Sequence, residues 1–593
     1  MSDRVDHPSL VTTQSSPFAV GVLLCGALLV HLVLMPAQGW ERDQYWFATW
    51  MRTAIERGVA HVSEAVWCDY PPGYLYVLKA VGVLWTALVG APIPADGTVA
   101  LRFLVKLVPT MADLATAWVL YRLAVTQMGV SRAAHRIPTS LLVLAGYAYN
   151  PAIVFTSAVW GQVDSLTCLL LLLAVWAIGE RRCAAGGGLA AAAVLVKLQA
   201  VVVVPALLLA TAHLDGWKGL FAAARGAALV VVVLLLPFFV AQRTDSVIAT
   251  MFGASGRYPF ISMNAHNLWW FIGGARSINI SDAMRVGNDL FTYQALGFVM
   301  FASATLLLLW RLWRDLYVSG RQPLPSLIEA ALLQLLAFYL FPTEMHERYI
   351  VPALVFLAAL CIWKPRAWWL YVVCSLAVLV SLASTLSTTF PQPLGPVGWL
   401  LRADRAETFV LSTIFVAVFV ALLFWTSDRR FQLLAPAAIV AVVVATAGAA
   451  TLPLRSAQLL SEWEPTEQSQ EWATMRRNRS VDDHRLSAFG FMFRHGIGTH
   501  AASRLTYHLN GAFRVFDTAL ALDDEANRGQ MIRFRILTDG STRFDSGNIS
   551  GGGFPRHVRV PIDGAQFLTL EVLDGGDGIN SDHADWLEPT LLR

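Results

Sequence analysis

Long apolar runs recur from residue 17 to about residue 454 and then stop, and no other feature restricts the fold so sharply. The first, Pro17 to Pro36, is about 20 residues long, enough at 1.5 Å per residue to cross the hydrocarbon core of a bilayer. Hydrophobic residues make up 56% of the 593-residue chain and charged residues only 14%. With a mean hydropathy of +0.53, this is the composition of a polytopic α-helical membrane protein. A net charge of +3 gives no argument for nucleic acid as a partner. The six cysteines are scattered without metal-ligand spacing, so neither a disulfide framework nor a thiolate metal site is expected. Residues 1–16 are polar, and the first run lacks a small-x-small cleavage site, so it reads as an uncleaved span behind a short cytoplasmic tail.

Basic residues orient the runs. Arg181-Arg182, Arg311/Arg314/Arg321, Lys364/Arg366 and Arg429-Arg430 each close an apolar run and belong on the cytoplasmic side. Spans near 290–313, 325–342, 350–363, 367–386, 406–426 and 431–454 then alternate without conflict and deliver residues 455–593 to the outside. Upstream, 186–212 contains Lys197, Gln199 and Pro205, and 98–125 contains Lys106, Pro109 and Asp113. Such residues fit a segment that enters and returns as half-helices where protein or water covers them. The total comes to roughly 11–13 spans.

After residue 455 the composition changes. Residues 455–485 read as a polar linker. From 486 to 593, short alternating runs such as Met531–Leu537 and Phe567–Leu573 are separated by Asp539-Gly540 and Asp563-Gly564 turns, the pattern of a β-sandwich.

Polar clusters punctuate the ends of the apolar runs. Glu41-Arg42-Asp43 opens the first extracytoplasmic loop, 37–72, which ends on Asp69-Tyr70-Pro71-Pro72. Further clusters hold Gln162 and Asp164, then Arg257, Tyr258, His266 and Asn267, then Glu344, His346, Glu347 and Arg348. Ionisable groups at a membrane boundary are costly unless they face water or a site, and distant segments supplying them to one face suggest a single site.

Taken in order, Tyr70-Pro-Pro-Gly-Tyr74, Asn150-Pro151, Trp160-Gly-Gln-Val-Asp164, Lys197-Leu-Gln199 and Met345-His-Glu-Arg-Tyr349 resemble the bacterial GT-C fold glycosyltransferases that use polyprenyl-phosphate sugars, of the mannosyltransferase-like kind. The likeness spans residues 17–425. It implies a membrane hexosyltransferase that moves a mannose-like sugar from a polyprenyl-phosphate donor to an extracytoplasmic glycan or lipid, with inversion. The implied address is a prokaryotic plasma membrane, N-terminus cytoplasmic. The catalytic base is implied in the first outer loop: Asp43, with Glu41 as the alternate. Arg348 and His346 suit the departing phosphate, with Glu347, Arg257, Tyr258, Asn267, Lys197, Gln162 and Asp164 as further binding residues. No DxD pair stands in that loop, so no metal cofactor is expected.

The C-terminal part resembles the NPCBM carbohydrate-binding module through Gly496–His500, Leu522-Asp-Asp524, Thr538-Asp-Gly540 and Asp574–Gly578, continuing through Asp582-His583-Ala584-Asp585-Trp586. Asp582, His583, Asp585 and Trp586 are its candidate sugar contacts. Trp586 or Phe554 can stack on a sugar, but a buried core position is the favoured reading of a sandwich Trp. Asp574 and Asp577 match both a structural calcium loop and plain Asp-Gly turns.

Blander readings accompany these. Asp43 can be a solvated partner of Arg42, Lys197 can snorkel, and the 346–348 cluster can be a structural ion network. A transporter, or a sugar-binding wall-anchoring protein without transferase activity, is the alternative class.

Overall fold

The computed structural model describes residues 17–94, 98–128, 138–253, 256–286, 291–388, 405–425, 458–489, 491–493, 495–526, 529–551, 553 and 555–593. The tail 1–16, the expected span 431–454 and Phe554 lie outside the described residues.

A helical bundle precedes an all-β module. Among the described residues, eight helices are long and apolar enough to cross a membrane: Pro17–Leu34, Pro72–Val89, Val99–Gln127, Thr139–Trp160, Leu198–Val240, Tyr293–Val318, Pro323–Leu340 and Pro365–Leu386. Asp164–Gly179, Cys183–Val196 and Val410–Leu423 are shorter apolar helices. The stretch Leu198–Val240 is about twice the length one crossing needs. It bends at Gly216, whose φ of 57° and ψ of −146° are closed to a residue with a Cβ.

The break expected in 186–212 falls on one residue. Helix Cys183–Val196 ends at Lys197, which is extended (φ −152°, ψ 120°) and leads into the 3₁₀ turn Leu198–Val203. Gly187 meets the backbone of Ala223 and Gly226 meets that of Ala184, so this helix and the one after the Gly216 bend touch backbone to backbone.

The half-helices expected in 98–125 are not there. Val99–Met128 is one continuous helix that carries Pro109. Lys106 and Asp113 find partners sideways on neighbouring segments, so the helix need not open to water at these residues. Lys106 Nζ donates to the carbonyls of Met35 (3.1 Å), Ala37 (2.5 Å) and Val159 (2.8 Å). Asp113 lies 3.6 Å from His31 and accepts a hydrogen bond of 3.3 Å from the Tyr147 hydroxyl.

The module is a sandwich. One sheet runs Arg556–Pro561, Val515–Leu522, His583–Leu592, Gly496–His500, Arg476–Arg477; the other runs Ser541–Ser550, Met531–Thr538, Phe567–Asp574, Ser503–His508, Glu467–Gln470. Alternate residues of Met531–Thr538 turn inward, and Ile532, Phe534 and Ile536 meet Leu505, Phe516, Leu570 and Trp586 in the core. Within the expected linker 455–485, the described residues 458–485 join the sandwich. Gln458–Leu459, Glu467–Gln470 and Arg476–Arg477 pair with the sheets, and residues 467–469 are exposed. Edge strands with both faces wet lose the alternation that marks a strand in sequence.

Candidate active site

Glu41-Arg42-Asp43 does not form a loop. It opens the helix Glu41–Glu56, whose N-terminal dipole favours acidic residues in its first turn. Glu41 is exposed there, whereas Asp43 turns inward. Trp160 Nε1 donates to Asp43 Oδ2 at 2.9 Å, and Gln162 Nε2 donates to the same oxygen at 2.5 Å. Gln162 Oε1 in turn accepts from the Tyr70 hydroxyl at 3.2 Å, tying the two ends of the first loop together. Gly161, at φ +90°, makes the turn that aims both Trp160 and Gln162 at Asp43. Burial pushes the Asp43 carboxyl up to about 6, against the Arg348 charge and the Trp160 hydrogen bond, which pull it down.

Beside this acid lies a cleft of about 270 Å³. Asp69, Lys197, Arg257, His346 and Arg348 contribute polar groups to its wall, and Val201, Phe298 and Phe338 contribute apolar ones. Val201 and Phe298 are 45% and 47% exposed, so the cleft reaches the outer surface of the bundle.

Each charged group here has a partner. Lys197 Nζ donates to Asp164 Oδ1 at 2.6 Å, where Gln199 Nε2 also donates at 3.2 Å. Arg348 Nη1 donates to Glu347 at 3.0 Å. Burial opposes the Arg348 charge, but Glu347, Tyr70 and Asp43 outweigh it and hold the guanidinium protonated. Burial, then the Arg348 and Lys197 charges, depress His346 well below the usual imidazole range, leaving the ring neutral. Arg257 donates to the Asp69 carbonyl at 3.0 Å, and the Tyr258 hydroxyl donates to Asp69 Oδ2 at 2.7 Å. Burial raises the Asp69 carboxyl, against Tyr258 and Arg257.

Asp43, Gln162, Asp164, Lys197, Arg257, Tyr258, His346, Glu347 and Arg348 therefore gather in one region, and Glu41 and Asn267 do not join them. Asn267 is fully buried, with its oxygen on the Trp269 amide at 3.1 Å, and fixes the turn before that Trp. Asp69, Trp160 and Glu344 complete the region without having been assigned site roles. Glu344 adopts φ +64° and accepts from the backbone of Gly256 (2.7 Å) and Tyr258 (3.2 Å). The Tyr70-Pro-Pro motif next to Asp69 was the available signal.

In the module, Trp472 is 48% exposed and stands over two imidazoles, His583 at 6.1 Å (18° between planes) and His500 at 4.8 Å. Glu525 bridges His484 (2.6 Å) and His583 (3.0 Å). Asp482, Glu525 and His583 bring ligand atoms within 4.8 Å of one another, and this is the one such group among the described residues. Residues 456–592 match a known domain family across almost the whole sandwich.

They form an NPCBM/NEW2 domain. Its relatives include the CBM51 of a Clostridium perfringens GH95 protein, solved in complex with methyl-galactose: 34% identical, covering 23% of this chain and 99% of that one, TM-score 0.22. The α-1,3-galactosidase B of Akkermansia muciniphila is 29% identical over 123 residues. A Renibacterium salmoninarum protein named for endo-α-N-acetylgalactosaminidase activity is 28% identical over 131 residues. The chain spans 15% and 8% of the lengths of these two curated relatives. Upstream, residues 70–273 match the family described as GPI transamidase subunit PIG-U. Over the whole chain, the arabinosyltransferase EmbB of Mycobacterium smegmatis aligns at 15% identity and a TM-score of 0.34, covering 100% of this chain and 66% of that one.

One expected role fails inside the NPCBM domain. Trp586 is fully buried against Phe534 (4.9 Å, edge to face) and is core, not a sugar platform. Asp574 Oδ1 accepts three backbone amides, those of Gly576, Asp577 and Gly578, and Asp577 accepts the Met531 amide. Both carboxylates thus take part in turns. Asp582 and Asp585 are also buried, and of the four candidate sugar contacts only His583 lies in the Trp472 group.

Proposed function

We propose that this chain is an integral membrane glycosyltransferase of GT-C type. It moves a hexose, mannose-like, from a polyprenyl-phosphate donor to an extracytoplasmic glycan or lipid acceptor with inversion. One observation carries the reading: a half-buried acid, Asp43, sits beside a cleft lined by Arg348, Lys197 and neutral His346 that opens on the apolar flank of the bundle. The ordered motifs and the PIG-U match over 70–273 support it. The basic groups Arg181, Arg311 and Lys364 pair with Asp215 and Glu329 away from the cleft, which favours placing that far end in the cytoplasm.

Both hydrogen bonds to Asp43 land on Oδ2, leaving Oδ1 for the acceptor hydroxyl. As that oxygen attacks the anomeric carbon, its proton passes to Asp43, and the bond from that carbon to the phosphate oxygen breaks with its electron pair. Arg348 and Lys197 offset the charge gathering on the leaving phosphate, and His346 can donate one neutral hydrogen bond. A single displacement inverts the anomeric centre. The NPCBM domain holds the glycan acceptor, with Trp472 as its platform.

The test is transfer from radiolabelled polyprenyl-phosphate mannose and glucose by purified protein, wild type against Asp43→Asn. Transfer is expected to fall by about 10²–10⁴-fold in a folded variant. Undiminished transfer would remove Asp43 from the chemistry. Silence of the wild type with every donor would favour the transporter or anchoring class.

A further inference from the structure

The NPCBM domain touches the bundle at the helix that carries Asp43. Arg42 Nη1 donates to Asp524 Oδ1 at 3.1 Å, and its guanidinium lies 4.2 Å from the centre of the Phe489 ring. Phe489 is 4% exposed and packs on Trp67 (5.1 Å) and Trp46 (6.2 Å). Leu486, Ala488 and Phe493 join the same apolar cluster as the bundle core. A second contact steadies the first: Arg559 donates to the Ala283 carbonyl at 2.9 Å, and Leu592 packs with Ile261 and Trp269.

Three consecutive residues link this joint to the Trp472 surface. Asp523 receives the amide and hydroxyl of Ser487 and so holds the Phe489 hairpin. Asp524 takes Arg42. Glu525 takes His583 and His484. An exposed indole face beside carboxylate–imidazole pairs suits a neutral saccharide, with ring C–H groups on the indole and hydroxyl pairs on the polar atoms.

We propose that Arg42, Asp524 and Phe489 latch the NPCBM domain onto the Asp43 helix, so that a neutral hexose glycan held over Trp472 and Glu525 is aligned with the Asp43 site. The purpose given to the latch rests on the transferase reading, but the latch itself can be tested without turnover. The full chain in nanodiscs is titrated calorimetrically with methyl galactoside, mannoside, glucoside and arabinoside, and hydrogen exchange is followed across residues 41–56. Saturating sugar is expected to slow exchange there several-fold in wild type. Trp472→Ala should abolish binding. Asp524→Ala should keep the affinity and lose the slowing, and Asp524→Glu should restore it. Binding of none of the four glycosides, or unchanged binding by Trp472→Ala, overturns the saccharide surface. Equal slowing in Asp524→Ala overturns the latch. A wild type that binds and couples but transfers nothing overturns the transferase reading alone.

Discussion

Asp43 is an acid poised by two hydrogen bonds on one oxygen and by a half-buried position that resists its charge. A carboxylate base works only when ionised, so its elevated value should place the acid limb of kcat/KM near pH 6, above the range of an ordinary Asp. Gln162→Leu removes one of the bonds that favour the anion and should move that limb further up, as measured by pH–rate profiles of both proteins. Asp43 was legible in the sequence because a charged cluster directly after an apolar run has few cheap places to go. The neighbours that tune it were less so. Trp160 reads as scaffold until its indole is seen on Asp43, and Asp69 gains meaning only from Tyr258 and Arg257, distant in the chain. Trp586 was ambiguous in the opposite sense, since nothing in a sequence tells a stacked Trp from a buried one, and it proves to be core.

At the scale of elements, Lys106 pegs three segments together. Its ammonium joins the end of the first helix, through Met35 and Ala37, to Val159, just ahead of the turn that delivers Trp160. Gly39 fits only because it lacks a Cβ, which would come within 2.6 Å of the Trp160 carbonyl. Lys106→Met keeps the length and apolar stem but abandons three carbonyls. The cost of unpartnered buried polar groups, about 1–3 kcal/mol each, should appear as a lower melting temperature and a rate loss with no residue of the cleft changed. The sequence shows Lys106 inside an apolar run and suggests a broken helix. What it hides is that the carbonyls answering the lysine come from segments far away in the chain, so the helix continues unbroken. The Lys197 break was readable because Lys, Gln and Pro crowd one short stretch.

The whole molecule is a membrane bundle and a β-sandwich that share a boundary. The sandwich was legible from its later strands, whose inward and outward residues alternate; its first three strands were missed because an edge wet on both faces has no pattern. That moves the boundary for truncation. Ending the chain at residue 456 should leave a folded bundle whose use of long glycan acceptors falls more than its use of donor, read as separate KM values. Ending it at 485 retains three strands without their sheets and should yield aggregating protein by size-exclusion chromatography.

The cleft that surfaces at Val201 and Phe298 changes what concentration means for this protein. If the donor slips in sideways from the bilayer, its supply is counted per lipid and not per litre. Thinning the same amount of donor with inert lipid or detergent should slow transfer even though the tube holds as many molecules as before.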